Sequence, residues 1–236
     1  MPTWTAWSWP TVSCRSEANV PVDTPRPRRA DTPAAGCRRC PRLVALRHEL
    51  GATYPSYHGA SVTAVGPVDA ALLVVGLAPG LHGAHRTGRP FSGDDSGGLL
   101  FEMLHAYGWA NQPVSTGPGD GLVLHDCRIT NAVKCLPPNN RPTASERRAC
   151  NGFLRAELRA PRVIIALGRL AHDAVIAALN LRPVDHRFVH ARVHRLDRQR
   201  VLVDSYHCSR YNLNTRRLTR DGFAAVFAQA RRRFPA

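Results

Sequence analysis

Residues 70–107, AALLVVGLAPGLHGAHRTGRPFSGDDSGGLLFEMLHAY, change hydrophobic pattern twice within one stretch. Ala70 to Leu77 is a short apolar run with branched residues that stops at Ala-Pro-Gly, which predicts a buried strand. A glycine-rich segment follows, carrying Gly76, Gly80, Gly83, Gly88, Gly93, Gly97 and Gly98. Beyond it Leu100, Met103, Leu104 and Tyr107 fall at i, i+3, i+4 and i+7 and make one apolar helical face, with Asp95 or Ser96 placed to cap the first turn. The unit reads strand, long loop, helix.

The same alternation continues along the chain. A second strand is expected near Cys127 to Val133. Thr143 with Glu146 forms a capping-box signature for a helix whose apolar face includes Phe153, Leu154 and Leu158. Arg162 to Leu167 predicts a third strand, Gly168 a turn, Arg169 to Leu179 a helix, and Val201 to Tyr206 a strand that runs into His207. Phe223, Val226, Phe227 and Ala230 mark a C-terminal helix. Strands alternating with helices imply an α/β layered fold with a mainly parallel sheet, whose ligands sit beyond the carboxyl ends of the strands. Three loops meet that condition: after Leu77, around Asn131 and after Tyr206. Residues 111–121, NQPVSTGPGDG, read as a surface loop. Residues 1–35, with scattered prolines around Arg26, Arg28 and Arg29, read as a disordered basic tail, leaving 36–236 as one domain.

The chain of 236 residues can bury one substantial core. Its 32 basic and 17 acidic residues give a formal charge of +15, which suits a polyanion such as nucleic acid. Every basic residue except Lys134 is Arg, a bias that a GC-rich genome also produces. No stretch approaches the roughly 20 apolar residues of a membrane helix, and the start of the chain lacks a basic segment followed by an apolar run. A soluble cytoplasmic protein is therefore expected.

Seven cysteines without a secretion signal argue for reduced thiols rather than disulfides. Cys37 and Cys40 form a C-x2-C pair, and Cys135 and Cys150 bracket a proline-rich loop and the capped helix start. Four thiolates on one centre select zinc or an iron–sulfur cluster, and the spacing leaves both open. Cys14, Cys127 and Cys208 lack such partners and read as small buried hydrophobes or incidental thiols.

The glycine-rich loop lets backbone N–H groups approach a ligand, but it has no Lys and no G-x-G-x-x-G at the strand end. It carries instead Phe91 followed three residues later by Asp94. A flat ring beside a carboxylate suits a base taken out of the DNA stack, since stacking contributes about 1–3 kcal/mol per base.

The segments GLAPGLHGAHRTGRPFSGDDSG (Gly76 to Gly97), ITNAVKC (Ile129 to Cys135) and HCSRYNLNTRRLT (His207 to Thr219) resemble the three motifs of the family 5 uracil-DNA glycosylases, an iron–sulfur branch of that superfamily. The four paired cysteines match that family's cluster ligands in order and spacing, and the likeness covers roughly Cys37 to Phe234. The resemblance implies a three-layer α/β/α fold, a [4Fe–4S] cluster on Cys37, Cys40, Cys135 and Cys150, and monofunctional excision of uracil from DNA by a monomer associated with the nucleoid. It further implies hypoxanthine, xanthine or ethenocytosine as additional bases, because apolar Leu77 and Ala78 stand where other branches place polar residues.

Carried over by position, Asp94 resembles the carboxylate that orients water and offsets charge on the sugar, and Asp95 then serves as the helix cap. His207 resembles the histidine that donates toward the base carbonyl. Asn131 resembles the amide that reads the base edge, Phe91 the stacking ring, and Gly76, Ala78 and Gly80 the close-approach floor. Arg86, Ser209, Arg210, Asn212 and Arg216 are the expected DNA contacts, with Tyr211 among the candidates for the segment that wedges into the duplex. Two positions depart from the family pattern: Cys208 replaces a usual Pro, and Arg216 stands where Gly is usual. Losing the Pro is expected to free the backbone of that loop. A catalytically weakened iron–sulfur DNA-binding protein of the same fold is the competing reading.

Overall fold

A computed structural model describes residues 32–234. Residues 1–31, most of the expected tail, and Cys14 lie outside the described residues. The last tail residues are tied down, because the carbonyl oxygens of Ala34 and Ala35 accept hydrogen bonds from Cys37 and Ser61.

Five strands form one sheet in the order β2-β1-β3-β5-β4. The strands are β1 (Leu72–Gly76), β2 (Cys127–Asn131), β3 (Val163–Leu167), β4 (Val193–Arg195) and β5 (Val201–Ser205). The first four in the order are mutually parallel, and β4 pairs antiparallel with β5 at the edge. β1 and β3 are buried at every position, as expected of central parallel strands with both faces covered. The helices are α1 (Pro41–Thr53), α2 (Ala84–Thr87), α3 (Asp95–Ala106), α4 (Ala144–Glu157), α5 (Arg169–Ala178), α6 (Arg210–Asn214) and α7 (Arg220–Arg231). α3 and α7 cover one face around Phe101, Trp109, Phe223 and Phe227. α4 and α5 cover the other around Leu154, Leu158, Val175 and Ile176. The result is the expected three-layer α/β/α architecture.

The register brings Gly76 opposite Asn131, so β1 and β2 end side by side. Ala166 lies opposite Asp204 and Leu167 opposite Ser205, so the segment leaving β5 emerges at the same sheet edge. The loops after Leu77, around Asn131 and after Tyr206 therefore converge, as the strand pattern requires.

The capping box at Thr143 and Glu146 is formed as expected. The cap of α3 differs from expectation. Asp94, not Asp95 or Ser96, is the N-cap residue, and its Oδ1 accepts from the backbone N–H groups of Ser96 and Gly97. Asp95 begins the helix one residue later and reaches out to Arg210 at 2.8 Å. α1, α2, α6 and the three-residue β4 lay outside the sequence expectation.

Candidate active site

A cavity of about 320 Å³ opens at the converging strand ends, lined among others by Ala78, Gly80, Phe91, Asp94, Asn131 and His207. Five of these come from the two motif segments around β1 and β2, and His207 arrives from β5. Gly76 lies beneath this floor. A Cβ there would collide with the Asn131 amide oxygen and the Phe91 ring, so the strand end must be glycine for both side chains to lie where they do.

Phe91 is buried in the left-handed backbone region, with φ at 58°. A bulky residue takes that conformation only when its surroundings impose it. Here a polar net does so. Arg89 donates to Asp120 at 2.6 Å and to Ser115 at 2.9 Å, and the Ser92 and Ser115 hydroxyls pair at 2.5 Å. Asp120 also accepts from the backbone N–H groups of Thr116, Gly117 and Leu122, which winds the 111–121 loop around its carboxylate. Burial opposes ionisation of Asp120, but the Arg89 and backbone hydrogen bonds overcome it and hold its pKa far below the usual carboxylate range.

Asp94 spends one carboxylate oxygen on the helix cap. The other, Oδ2, lies against Gly80 and Gly83, where a Cβ at Gly83 would strike it. The residue stays open to solvent at the cavity mouth. Burial of its inner part raises the pKa, against the pull of the two backbone hydrogen bonds. His207 faces Phe91 with ring centroids 6.0 Å apart and planes 28° from parallel. Burial alone lowers the His207 pKa to about 4, so the imidazole is neutral at pH 7.

The expected DNA contacts lie around this opening, several of them already engaged. Ser209 caps α6 by accepting from the Asn212 N–H, and the Asn212 amide donates to the His207 carbonyl at 2.8 Å, so both shape the loop that carries His207. Arg86 is exposed yet bonds the carbonyls of His82 and Gly93, spanning the glycine-rich loop. Arg210 is exposed and paired with Asp95. Tyr211 projects from α6 and is 71% exposed. A wider groove lined by Arg169, Arg187, Asn212 and Arg217 shares His207 with the cavity and extends the basic surface from it.

Both departures from the family pattern are accommodated. Cys208 is fully buried, and its thiol donates to the Ser96 carbonyl at 3.2 Å, so the loop is fastened to the start of α3 rather than freed. Arg216 adopts φ of 55°, the conformation that explains a usual glycine there.

The sequence reading missed Asn140, which also lines the cavity. It sits at the end of a 3-10 turn, Pro138–Asn140, in which Asn139 and Asn140 both have positive φ. The Pro-Pro-Asn-Asn run was a detectable turn signal, but its direction toward the cavity depends on the packing of the whole segment between Cys135 and Cys150.

That segment also closes the cysteine group. Cys37, Cys40, Cys135 and Cys150 are free thiols around one cavity, with Leu43, Val133 and Phe153 as its apolar wall. Cys40 is the N-cap residue of α1, and the Lys134 backbone N–H points at the Cys150 sulfur at 3.3 Å. A soft four-thiol set, Cys150 buried and the other three half-buried, with an amide directed at sulfur fits an iron–sulfur cluster. His172, His194 and Asp204 form a separate polar group, with their ligand-type atoms within 4.8 Å of one another.

Residues 63–231 match the family described as the uracil DNA glycosylase superfamily. A type-5 uracil-DNA glycosylase of Thermus thermophilus is 44% identical over 204 residues, covering 83% of this chain and 93% of that protein. One from Pyrobaculum aerophilum is 44% identical over 200 residues, covering 82% and 87%. One from Mycobacterium tuberculosis is 40% identical over 208 residues, covering 83% and 77%.

Proposed function

The chain belongs to the uracil DNA glycosylase superfamily, in its type-5 branch, and we propose that it is a monofunctional enzyme that flips uracil out of DNA and hydrolyses its N-glycosidic bond. The observation that carries this reading is the meeting of Phe91, Asp94, Asn131 and His207 around one cavity, brought there from three separate segments of the chain.

Bond cleavage leaves positive character at the anomeric carbon and sends the electron pair of the C–N bond to the base. The site must stabilise both charges. Asp94 is suited to the first role: its solvent-facing carboxylate, held in place by the cap, can orient the attacking water and take its proton. His207 is suited to the second, because a neutral imidazole can donate one N–H to the base carbonyl as negative charge develops there. Asn131, with Asn140 at the rim, offers amides to the base edge, and Phe91 a stacking face. Arg86, Arg210 and Arg216 are suited to backbone phosphates, Ser209 and Asn212 to holding the loop against the strand, and Tyr211 to the wedge.

Apolar Leu77 and Ala78 line the cavity without demanding a particular hydrogen-bond pattern, which supports hypoxanthine, xanthine and ethenocytosine as further substrates. Cys37, Cys40, Cys135 and Cys150 are suited to a [4Fe–4S] cluster, whose contribution when bound is to fasten α1 to the body of the domain. The protein is read as a monomer working on cytoplasmic DNA. Among the described residues no helix is long and apolar enough to cross a membrane.

Single-turnover excision on uracil-containing duplexes tests the reading. The wild type should leave alkali-labile abasic sites. Asp94→Asn keeps a capping oxygen and removes the charge, so it should fold normally and excise about 10²–10⁴-fold more slowly while still binding DNA. Iron-loaded wild-type protein that leaves U:G and U:A duplexes intact would instead support the weakened DNA-binding reading.

A further inference from the structure

On the α5 side of the sheet three buried groups meet: His172 of α5, His194 of β4 and Asp204 of β5, none more than 7% exposed. Nδ1 of His172 is 2.7 Å from one Asp204 oxygen, and Nε2 of His194 is 2.8 Å from the other, which also accepts from the Val189 N–H at 3.0 Å. The remaining His172 nitrogen, Nε2, stands 2.7 Å from the carbonyl oxygen of His186. A carbonyl and an ionised carboxylate can only accept, so both His172 nitrogens carry protons and the ring is an imidazolium. With the Asp204 carboxylate it forms a buried, charge-balanced pair, to which His194 adds a second hydrogen bond at the other carboxylate oxygen.

The pair fastens a specific segment. His186 and Val189 belong to the loop between α5 and β4, and both are held by it through backbone groups. Next to them the His190 ring accepts from the Tyr206 N–H at 3.2 Å and stacks on the Tyr206 ring with centroids 4.9 Å apart. Tyr206 immediately precedes His207, and Ser205 before it accepts from the Gly168 N–H at 2.7 Å. The loop thus grips β5 at Asp204 and again at Tyr206, on the last residues before the active-site histidine.

We propose that the His172–Asp204 pair is a positioning device for His207, holding the 186–190 loop over the end of β5 only while His172 keeps both protons. The proposal rests on the reading of His207 as the group that faces the departing base. When His172 loses a proton, one nitrogen is left lone pair to lone pair with either the carboxylate or the His186 carbonyl, so either the loop is released at His186 or the Asp204 carboxylate that holds the Val189 N–H loses its charged partner. The groups facing His172 are Asp173 on its own helix, Asp204 on β5, His194 on β4, and His186 and His190 in the loop. Burial works against the charged ring, yet the Asp204 hydrogen bond and charge, with the His186 carbonyl, overcome it and raise the His172 pKa. The grip is therefore complete below the ordinary histidine range and lost as pH rises through that raised value.

Three measurements on the full, cluster-loaded chain test this. In the wild type, histidine ¹⁵N spectra followed against pH should show His172 keeping both protons above the pH at which an ordinary histidine loses one, and the single-turnover excision rate should fall on the alkaline side with the same midpoint. His172→Gln should lower that rate on the order of tenfold to a hundredfold at pH 7, remove the alkaline fall, leave the Kd for substrate DNA within about twofold, and shift the His207 ring resonances. A neutral His172 in the wild-type spectrum overturns the proposal, as does stoichiometric zinc that disappears with His172. A His172→Gln variant that melts earlier but excises at the wild-type rate while folded, with unmoved His207 resonances, shows a structural role alone and also overturns it. If the wild type excises nothing at pH 7, it is the reading of the site that fails, and the His172 and His207 spectra still decide the pair.

Discussion

An imidazole whose pKa lies at about 4 gives up its proton well before neutrality, so the His207 ring is neutral at pH 7, the form that the proposed donor role requires. The same burial links this ring to stability. Unfolded His207 binds a proton near pH 6.5 and the folded ring does not until about pH 4, so the unfolded state gains protons as pH falls through that window. Stability should drop between pH 6.5 and 4 by up to about 3 kcal/mol from this residue. Urea unfolding of wild type and His207→Phe at pH 7 and pH 4.5 checks the sign, with the smaller loss expected in the variant. In the proposed mechanism the Asp94 carboxylate must be ionised to orient water, and its raised pKa should then bring the acidic fall of excision to a pH above that of an ordinary aspartate. At this scale much was legible, because Phe91, Asp94, Asn131 and His207 sit in segments whose residue types carry the chemistry. Asn140 was not, since two left-handed asparagines in succession turn it inward and no periodicity announces that.

Elements with a strong local signal were read from the chain. β1, β3 and β5 are short apolar runs between turn residues, and the Thr143–Glu146 box fixes the start of α4. α1 buries only Leu43 and has no apolar stripe to betray it; what organises it is Cys40 at its N-cap and Pro41 in its first turn. β4 is three residues long and is defined by its partner β5 rather than by its own pattern. The misplaced cap of α3 has a physical cause: adjacent Asp94, Asp95 and Ser96 are all able caps, and contact with Gly80 and Gly83 selects the first. The loop after α6 offers a direct test. Arg216 holds φ of 55° while exposed, a strain of about 1 kcal/mol that glycine would not bear. Arg216→Gly should therefore leave stability unchanged or raise it by up to about 1 kcal/mol in thermal melts. If Arg216 meets a phosphate, the same change should reduce the slope of log K against log salt by about 0.9.

Across the whole molecule, the cavity at the strand ends and the thiol group occupy opposite ends of one connection. The segment from Asn131 through Cys135 and the 138–140 turn to Cys150 links the two cavity-lining asparagines to the cysteines, and α1 is joined to it through Cys37 and Cys40. Loss of the metal group should therefore loosen α1 before the sheet. Cys150→Ser should lose iron and sulfide, melt about 10 °C or more below the wild type, and be cut by protease first within residues 32–53. This arrangement was only half legible. The cysteine spacing picked out the four thiols that meet, but the packing that makes one segment serve both ends depends on β2 lying beside β1, which no local pattern specifies.

Burial keeps Cys208 and Cys127 from ionising, the former with its pKa pushed up to about 12. Thiolate is the form that alkylating reagents attack. In cluster-loaded protein the described cysteines should thus be nearly silent toward iodoacetamide, two protonated in the core and four committed to metal. Alkylation at Cys37, Cys40, Cys135 or Cys150, mapped by peptide mass, becomes a clock for cluster loss that needs neither colour nor activity to be read.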